Sequence, residues 1–326
     1  MVDIVRYPFP PPAGVRRGFA APPPALEWNA FVAKAKNATF LFHRDYMDYH
    51  ADRFHDCSLM FYENGRLYAL MPANLAGDVL YSHQGLTYGG MIMGSDCRAA
   101  KIRECFVTLN DWLCRMGIRK VVYKHIPHVY CSLPSEEDLF ALYNVCKATL
   151  KTRDIASVVD LCRPLPFSQL RKRGVKKAAR AGMLVTESDN LPDFWKLLQS
   201  CLLLHHRAHP VHTLAEMTLL KARFPENIRL FVATHDGNIV GGTLLYISRH
   251  IVKTQYIAAS EDGRQLGALD FLFEHLLRSF AEEGKRFFDF GTSNLVGNGN
   301  LNESLIFQKE GFGGRAICYD TYEWKL

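Results

Sequence analysis

The chain has no closely spaced cysteine pair. Its nine cysteines, at 57, 97, 105, 114, 131, 146, 162, 201 and 318, come no nearer than 97 and 105. That excludes a CxxC zinc or redox motif, and an odd number in apolar settings reads as reduced, mostly buried thiols. No apolar run reaches the ~18 to 20 residues that a membrane helix needs. The opening residues, MVDIVRYPFPPPAGVRR, lack the basic-then-apolar order of a secretory leader, so a cytoplasmic protein without a membrane span is expected. Sustained charged heptads are missing, which argues against a long coiled arm. A strong charge of one sign is missing too: 39 basic and 33 acidic residues leave +6. Such a balance admits an anionic ligand without requiring nucleic acid.

What is present is an ordinary globular composition, 48% hydrophobic and 22% charged, over 326 residues, enough for two domains. Residues 8 to 24 hold seven of the fifteen prolines. They predict an extended surface arm over residues 1–26, pinned by Tyr7 and Phe9.

Beyond the arm the sequence reads as two similar halves. In the first, SLMFYENGRLYALMPANL predicts a hairpin about Glu63-Asn64-Gly65, Asn-Gly being a strong turn signal. VLYSHQGLTYGGMIMG predicts a further strand punctuated by glycine. The stripe Ile102, Phe106, Leu109, Leu113, Met116 predicts a helix stopped by Gly117, and IRKVVYKHI a strand. In the second half, IRLFVATHDGNIVGGTLLYIS predicts a hairpin about Asp236-Gly237-Asn238 and HIVKTQYIAAS a strand. GALDFLFEHLLRSFAEEG predicts a helix stopped by Gly284, and KRFFDFGTS a strand. The two series are offset by 172 residues at the hairpin glycines (237 − 65) and by 167 at the helix stops (284 − 117), which suggests an internal duplication. Six of the ten residues Arg171 to Arg180 are basic, and they read as a linking helix over 167–182. The expected domains are the arm at 1–26, a first unit at 27–165 and a second at 166–326.

Hairpin, long strand, glycine-rich turn, helix, strand is an order that resembles the GNAT N-acyltransferase superfamily. Two such units in one chain resemble its FemAB-like branch. The basic helix LRKRGVKKAARAGMLVTE is similar to that branch's linking helix. QYIAASEDGRQLGALDFLFEHLL, FDFGTS and NLNESLIFQKEGFGGR resemble the core motifs of its second unit, and AGDVLYSHQGLTYGG resembles a glycine-rich signature of the first. The resemblance covers residues 27 to 326. It implies an α/β fold of two tandem GNAT-like units with mixed central sheets flanked by helices. It also implies acyl transfer from an acyl-CoA of the acetyl-CoA type, used as cosubstrate, to a small-molecule or peptide amine. Two alternatives stand beside this: a Fem-like aminoacyl transferase using aminoacyl-tRNA on a peptidoglycan-type or peptide acceptor, and a catalytically silent module that binds a peptide or precursor. No metal is expected.

The candidate residues follow. In EDGRQLGALDF, a turn opening a helix offers free N–H groups to phosphate. Gly263, Arg264, Gln265, Gly267 and Ala268 are the candidates, although Leu269 stands where the family's acyl-CoA loop has a small residue. The bland reading is a strand-to-helix turn. On the preceding strand the resemblance gives Gln255 and Ile257 to the acyl and pantetheine part. Tyr256 is a general acid or a core aromatic. Strand alternation puts Gln255 and Tyr256 on opposite faces. Asp289, an acid inside an apolar strand, is a candidate base or a structurally paired acid. Ser293 and Asn294 close that strand. The segment HHRAHPVHT holds four histidines, but Pro210 breaks the helix and no carboxylate or cysteine has metal spacing. The resemblance makes His212 an acceptor-side residue and places His83 and Tyr88 near an acceptor cleft; a satisfied structural histidine and a glycine-bent strand pair are the plain alternatives. Asn300 with Glu303 predicts a helix start and Gly311 its stop, with Leu301, Leu305 and Phe312 turned inward. Lys309, in its last turn, serves either the helix dipole or, as in the family's Phe-x-Lys-x-x-Phe-Gly setting, a phosphate.

Overall fold

The computed structural model describes residues 2–7, 24–206, 208–295 and 299–326. The Pro-rich run at 8–23, with Phe9, lies outside the described residues. Tyr7 is inside them and packs edge-on against Trp28, under the Arg44 guanidinium.

The chain forms two compact units: residues 1–154 together with 318–326, and residues 155–317. The expected domain limits were 27–165 and 166–326. The last nine residues group with the first unit and the stretch from 155 to 165 with the second.

The first unit holds β1 (Val2–Arg6), α1 (Pro24–Lys34), α2 (Arg44–Met47), β2 (His55–Asp56), β3 (Leu59–Glu63), β4 (Arg66–Met71), β5 (Asn74–Ala76), β6 (Val79–Tyr81), β7 (Ile92–Met93), α3 (Ala99–Arg115), β8 (Lys120–Lys124) and α4 (Glu137–Asn144). An antiparallel sheet runs β1-β3-β4-β7. A second set of strands runs β8-β6-β5-β2, with β6 parallel to β8. The stretch expected as one glycine-punctuated strand is two short strands, β6 and β7, in different sheets. The loop between them turns at His83, which takes a left-handed φ of 68°. Helix α3 buries the predicted Ile102, Phe106, Leu109 and Leu113, while Met116 lies past its end and is 52% exposed.

The second unit follows β9 (Thr149–Asp160), which crosses the boundary. It contains α5 (Gln169–Arg180), β10 (Leu184–Ser188), α6 (Leu191–His206), α7 (Leu214–Arg223), β11 (Ile228–His235), β12 (Asn238–Ile247), β13 (Ile251–Ala259), α8 (Glu261–Leu266), α9 (Ala268–Glu282), β14 (Phe287–Thr292) and α10 (Glu303–Glu310). Its strands run β10-β11-β12-β13-β14-β9, antiparallel except for β13 and β14. A final strand, β15 (Arg315–Lys325), carries the chain back to the first unit, where it pairs with β8. The core between sheet and α9 is rich in phenylalanine: Phe273, Phe280, Phe288, Phe290 and Phe312 pack together. Parallel neighbours joined through a helix occur in both units, β6 through α3 to β8 and β13 through α9 to β14.

Candidate active site

The second unit places its chemistry where β13 and β14 part. The strands pair in parallel at only three positions, Ile251 with Phe287, Val252 with Phe288 and Lys253 with Asp289. Beyond these no paired register joins them, so one edge of β13 loses its ladder partner. The divergence has a local cause on the other side of β14, where pairing with β9 jumps from Asp289 to Thr292 and Gly291 takes a φ of 74°.

A second irregularity sets which side chains share the site. The β12–β13 register skips Gln255: Leu244 pairs with Tyr256, and Leu245 with Thr254. Paired residues of antiparallel strands share a face, and residues two apart on β12 do as well. Tyr256 and Lys253 therefore lie on one face, opposite Ile257 and Thr254. Without the bulge, Tyr256 would turn into the phenylalanine core. Ile257, expected beside the donor, packs against that core instead. Gln255 is the extra residue, and its buried Oε1 has no partner among the described residues.

On the Lys253 face, Tyr256 meets His212, which follows Pro210 in the loop before α7. The distance from Tyr256 Oη to His212 Nδ1 is 2.7 Å, and the His212 backbone N–H donates to the same oxygen at 3.2 Å. In the Nε2–H tautomer the imidazole accepts the phenol proton at Nδ1. Trp195 packs edge-on against the Tyr256 ring. Burial raises the phenol above its ordinary value of 10.0, so it stays protonated at neutral pH.

Asp289 is fully buried, and its Oδ1 accepts the Gly291 N–H at 2.7 Å. Beside it stand two lysines. Lys309, 5% exposed, donates from Nζ to the carbonyls of Gly291 (2.9 Å) and Thr292 (2.7 Å). Lys253 Nζ stands next to Gly291, where an added Cβ would sit 3.9 Å from it. Burial lowers both lysines, Lys309 to about 8, while Asp289 pulls each back up. Lys253 was missed in the sequence reading. Its signal is the one that flagged Asp289, a charge inside an apolar strand.

The lowered Lys309 has a measurable consequence. The folded chain releases this proton near pH 8 and the unfolded chain near 10.5. Between those values the unfolded state binds more protons, so stability rises with pH across the window. The full contribution is on the order of 3 kcal/mol. We expect Lys309→Met to flatten the rise in urea-unfolding stability between about pH 7.5 and 9.5 relative to wild type.

The glycine-rich turn differs from a plain phosphate loop. Residues 261–266 form α8, capped by Ser260, whose Oγ accepts the Gly263 N–H at 3.0 Å. The Gly267 N–H donates to the Arg264 carbonyl, and Gln265 reaches Glu261. Gly267 has a φ of 83°, and a Cβ there would lie 2.6 Å from the Gly174 carbonyl, so α5 crosses directly over the start of α9. Arg171 of α5 pairs with Asp270 in the first turn of α9 at 2.5 Å. A cavity of about 300 Å³ remains here, lined by Arg171, Arg264, Gly267, Ala268, Ser304 and Gln308 among others. Arg264 also donates to Cys201 Sγ at 3.1 Å.

The remaining candidates separate. Ser293 is wholly buried, with Oγ unpartnered among the described residues. Asn294 closes a local corner, accepting from the Ile155 N–H at 2.8 Å and donating to the Gly299 carbonyl at 2.8 Å. Helix α10 starts two residues later than expected: its cap is Asn302, which accepts the Leu305 N–H, not Asn300. Leu301 therefore lies outside the helix and is 43% exposed, whereas Phe312 is buried as expected. In the first unit His83 is buried and stacked on His50, with ring centres 5.1 Å apart, and burial lowers it to about 3. Tyr88 is buried among Phe42, Tyr130 and Tyr319 and donates to Thr39 Oγ1 at 3.2 Å. The side chains at 205 and 206 lie outside the described residues. No cluster of three metal-ligating side chains occurs among the described residues, and no described helix is long and apolar enough to cross a membrane.

Residues 168–299 match the family model described as an acetyltransferase (GNAT) domain. The whole fold is one of two GNAT-like units. It is similar to the crystal structure of FemX, with a TM-score of 0.67 at 10% identity over 93% of this chain and 96% of that one. It is also similar to the C-terminal domain of a putative lysylphosphatidylglycerol synthetase from Agrobacterium fabrum (0.59, 14%, 92% and 90%). A tandem GNAT protein from the clavulanic acid biosynthesis pathway aligns over 100% and 98% of the two chains (0.53, 13%). A comparison with curated protein sequences gives no match.

Proposed function

We propose that the second unit moves an acyl group from a CoA thioester to an amine. The observation that carries this reading is the parting of β13 and β14 with Tyr256 and His212 on the opened face. The freed edge of β13 offers N–H groups that can polarise a thioester carbonyl laid along it. Holding carbonyl and amine together supplies the rest of the rate, and no enzyme nucleophile is required. The attacking amine loses a proton and the departing thiolate gains one. Tyr256 delivers that proton from Oη, and His212, in its Nδ1–H tautomer, passes its Nδ1 proton to Oη while Nε2 takes one from the amine on the acceptor side. Lys309 and Lys253 keep the floor of the opening positive, with Asp289 as their counter-charge. The cavity at the start of α9 would take the donor's phosphates, near Arg264. A phosphate contact at Gln265 and an acceptor contact at Ser293 belong to the proposal as well.

One observation favours a second reading, an aminoacyl-tRNA donor. Lys172, Arg173, Lys176, Lys177 and Arg180 of α5 are exposed and have no carboxylate partner among the described residues, which makes a cationic face.

Ligand-induced stabilisation decides between donors. Acetyl-CoA at ~100 times its Kd should add ~2.7 kcal/mol, with thiol release on addition of an amine panel. No shift with any CoA thioester, combined with consumption of aminoacyl-tRNA, would establish the second donor. Failure of both, with tight binding of a peptide, would leave a silent binding module.

A further inference from the structure

We propose that the second unit also carries a binding site for a single-chain fatty acid, in the groove between α5, the C-terminal half of α9 and the Pro164–Phe167 loop. The groove has a volume of about 920 Å³ and shares no lining residue with the cavity at the start of α9. Its floor and walls are carbon, with Val159, Leu161, Val175, Leu277 and Phe312 among them. Pro164 and Pro166 in the loop have no N–H to offer. A wall this poor in donors and acceptors does not suit a peptide backbone, whose polar groups would be left unpaired.

The groove is held open by structure that does not depend on an occupant. Gly313 lets the loop close on the chain after α10: a Cβ at 313 would lie 2.7 Å from the Leu165 carbonyl. The Ser168 N–H donates to the Gly311 carbonyl at 2.9 Å, and Phe167 packs edge-on against Phe312. Apolar surface kept this open to water is unusual and marks a ligand site.

The charges at the rim select the occupant. Lys172 and Lys176 stand one helical turn apart on α5, both exposed and both without a carboxylate partner among the described residues. Like charges at this spacing repel, and a shared anion relieves that. On the facing helix Glu274 is engaged by Arg278 at 3.7 Å, and Glu282 lies at the far, C-terminal end. A carboxylate head therefore belongs at the α5 rim, with an unbranched chain along the floor. This site is independent of the acyl-transfer reading.

Calorimetric titration of the whole chain with octanoate, decanoate, dodecanoate and tetradecanoate tests the idea. Affinity should rise about fourfold per added methylene until the groove is full. The matched alkyltrimethylammonium series should bind at least about tenfold more weakly. Ala281→Trp, a change at an exposed helical position that lines the groove, should abolish binding of the acids while the melting temperature stays near wild type. Lys172→Glu with Lys176→Glu should reverse the headgroup preference. Absence of binding, lack of chain-length dependence, equal affinity for the cationic series, or binding unchanged by Ala281→Trp would each overturn the proposal.

Discussion

Replacing Tyr256 with phenylalanine should lower kcat about 10²- to 10⁴-fold, the range for loss of a positioned general acid. The substitution deletes one oxygen from a residue packed on Trp195 and His212, so the ring contacts persist. The lost hydrogen bond costs about 1 kcal/mol of stability. KM for the donor should change little, since the proposed role of the phenol is on the leaving group. Wild-type activity should hold to alkaline pH because burial keeps the phenol protonated above its ordinary range. A variant with unchanged kcat would reduce Tyr256 to a core aromatic.

The second large effect is expected from Asp289→Asn, as a loss of stability that depends on pH. The carboxylate is the anion beside two buried lysines, and it raises both. Stripping a buried charge of its partner costs about 3–5 kcal/mol when the remaining charge must stay. Here the lysines have an escape. Lys309, already near 8, can give up its proton, which at pH 7 costs about 1.4 kcal/mol and near pH 9 almost nothing. Urea unfolding at pH 6 and pH 9 should therefore show a large penalty at the lower value and a small one at the higher. Equal penalties would mean that Asp289 matters only for holding the Gly291 turn.

Much of this architecture was legible in the residues. The two hairpins stand where Asn64-Gly65 and Asp236-Gly237 put them, with Asn64 and Asp236 in the left-handed region their turn demands. Helices α3 and α9 follow their apolar stripes because period and burial agree. What the sequence could not show was register. A strand read as plain alternation sets Gln255 against Tyr256. The skipped residue in β13 instead brings Tyr256 round to Lys253, and such a bulge depends on partner strands distant in the chain. The start of α10 went astray for a smaller reason. Asn300 and Asn302 are both good caps, and only the geometry of the preceding corner, where Asn294 pairs with Leu301, selects the later one. The crowding of the glycine turn was also invisible, because it comes from Gly174, more than ninety residues earlier.

The path of β15 bears on how the chain is made. Trp324 packs at a tilt against Phe106 and Tyr123 in the core of the first unit, and β15 supplies the second partner of β8. These residues are translated after the entire second unit. The half synthesised first must therefore wait at the ribosome with one edge of β8 unpaired and a vacant aromatic socket. An open edge of that kind invites wrong pairing. Excising residues 1–154 as a fragment would make the waiting state permanent, so an autonomous first unit needs the last nine residues grafted back.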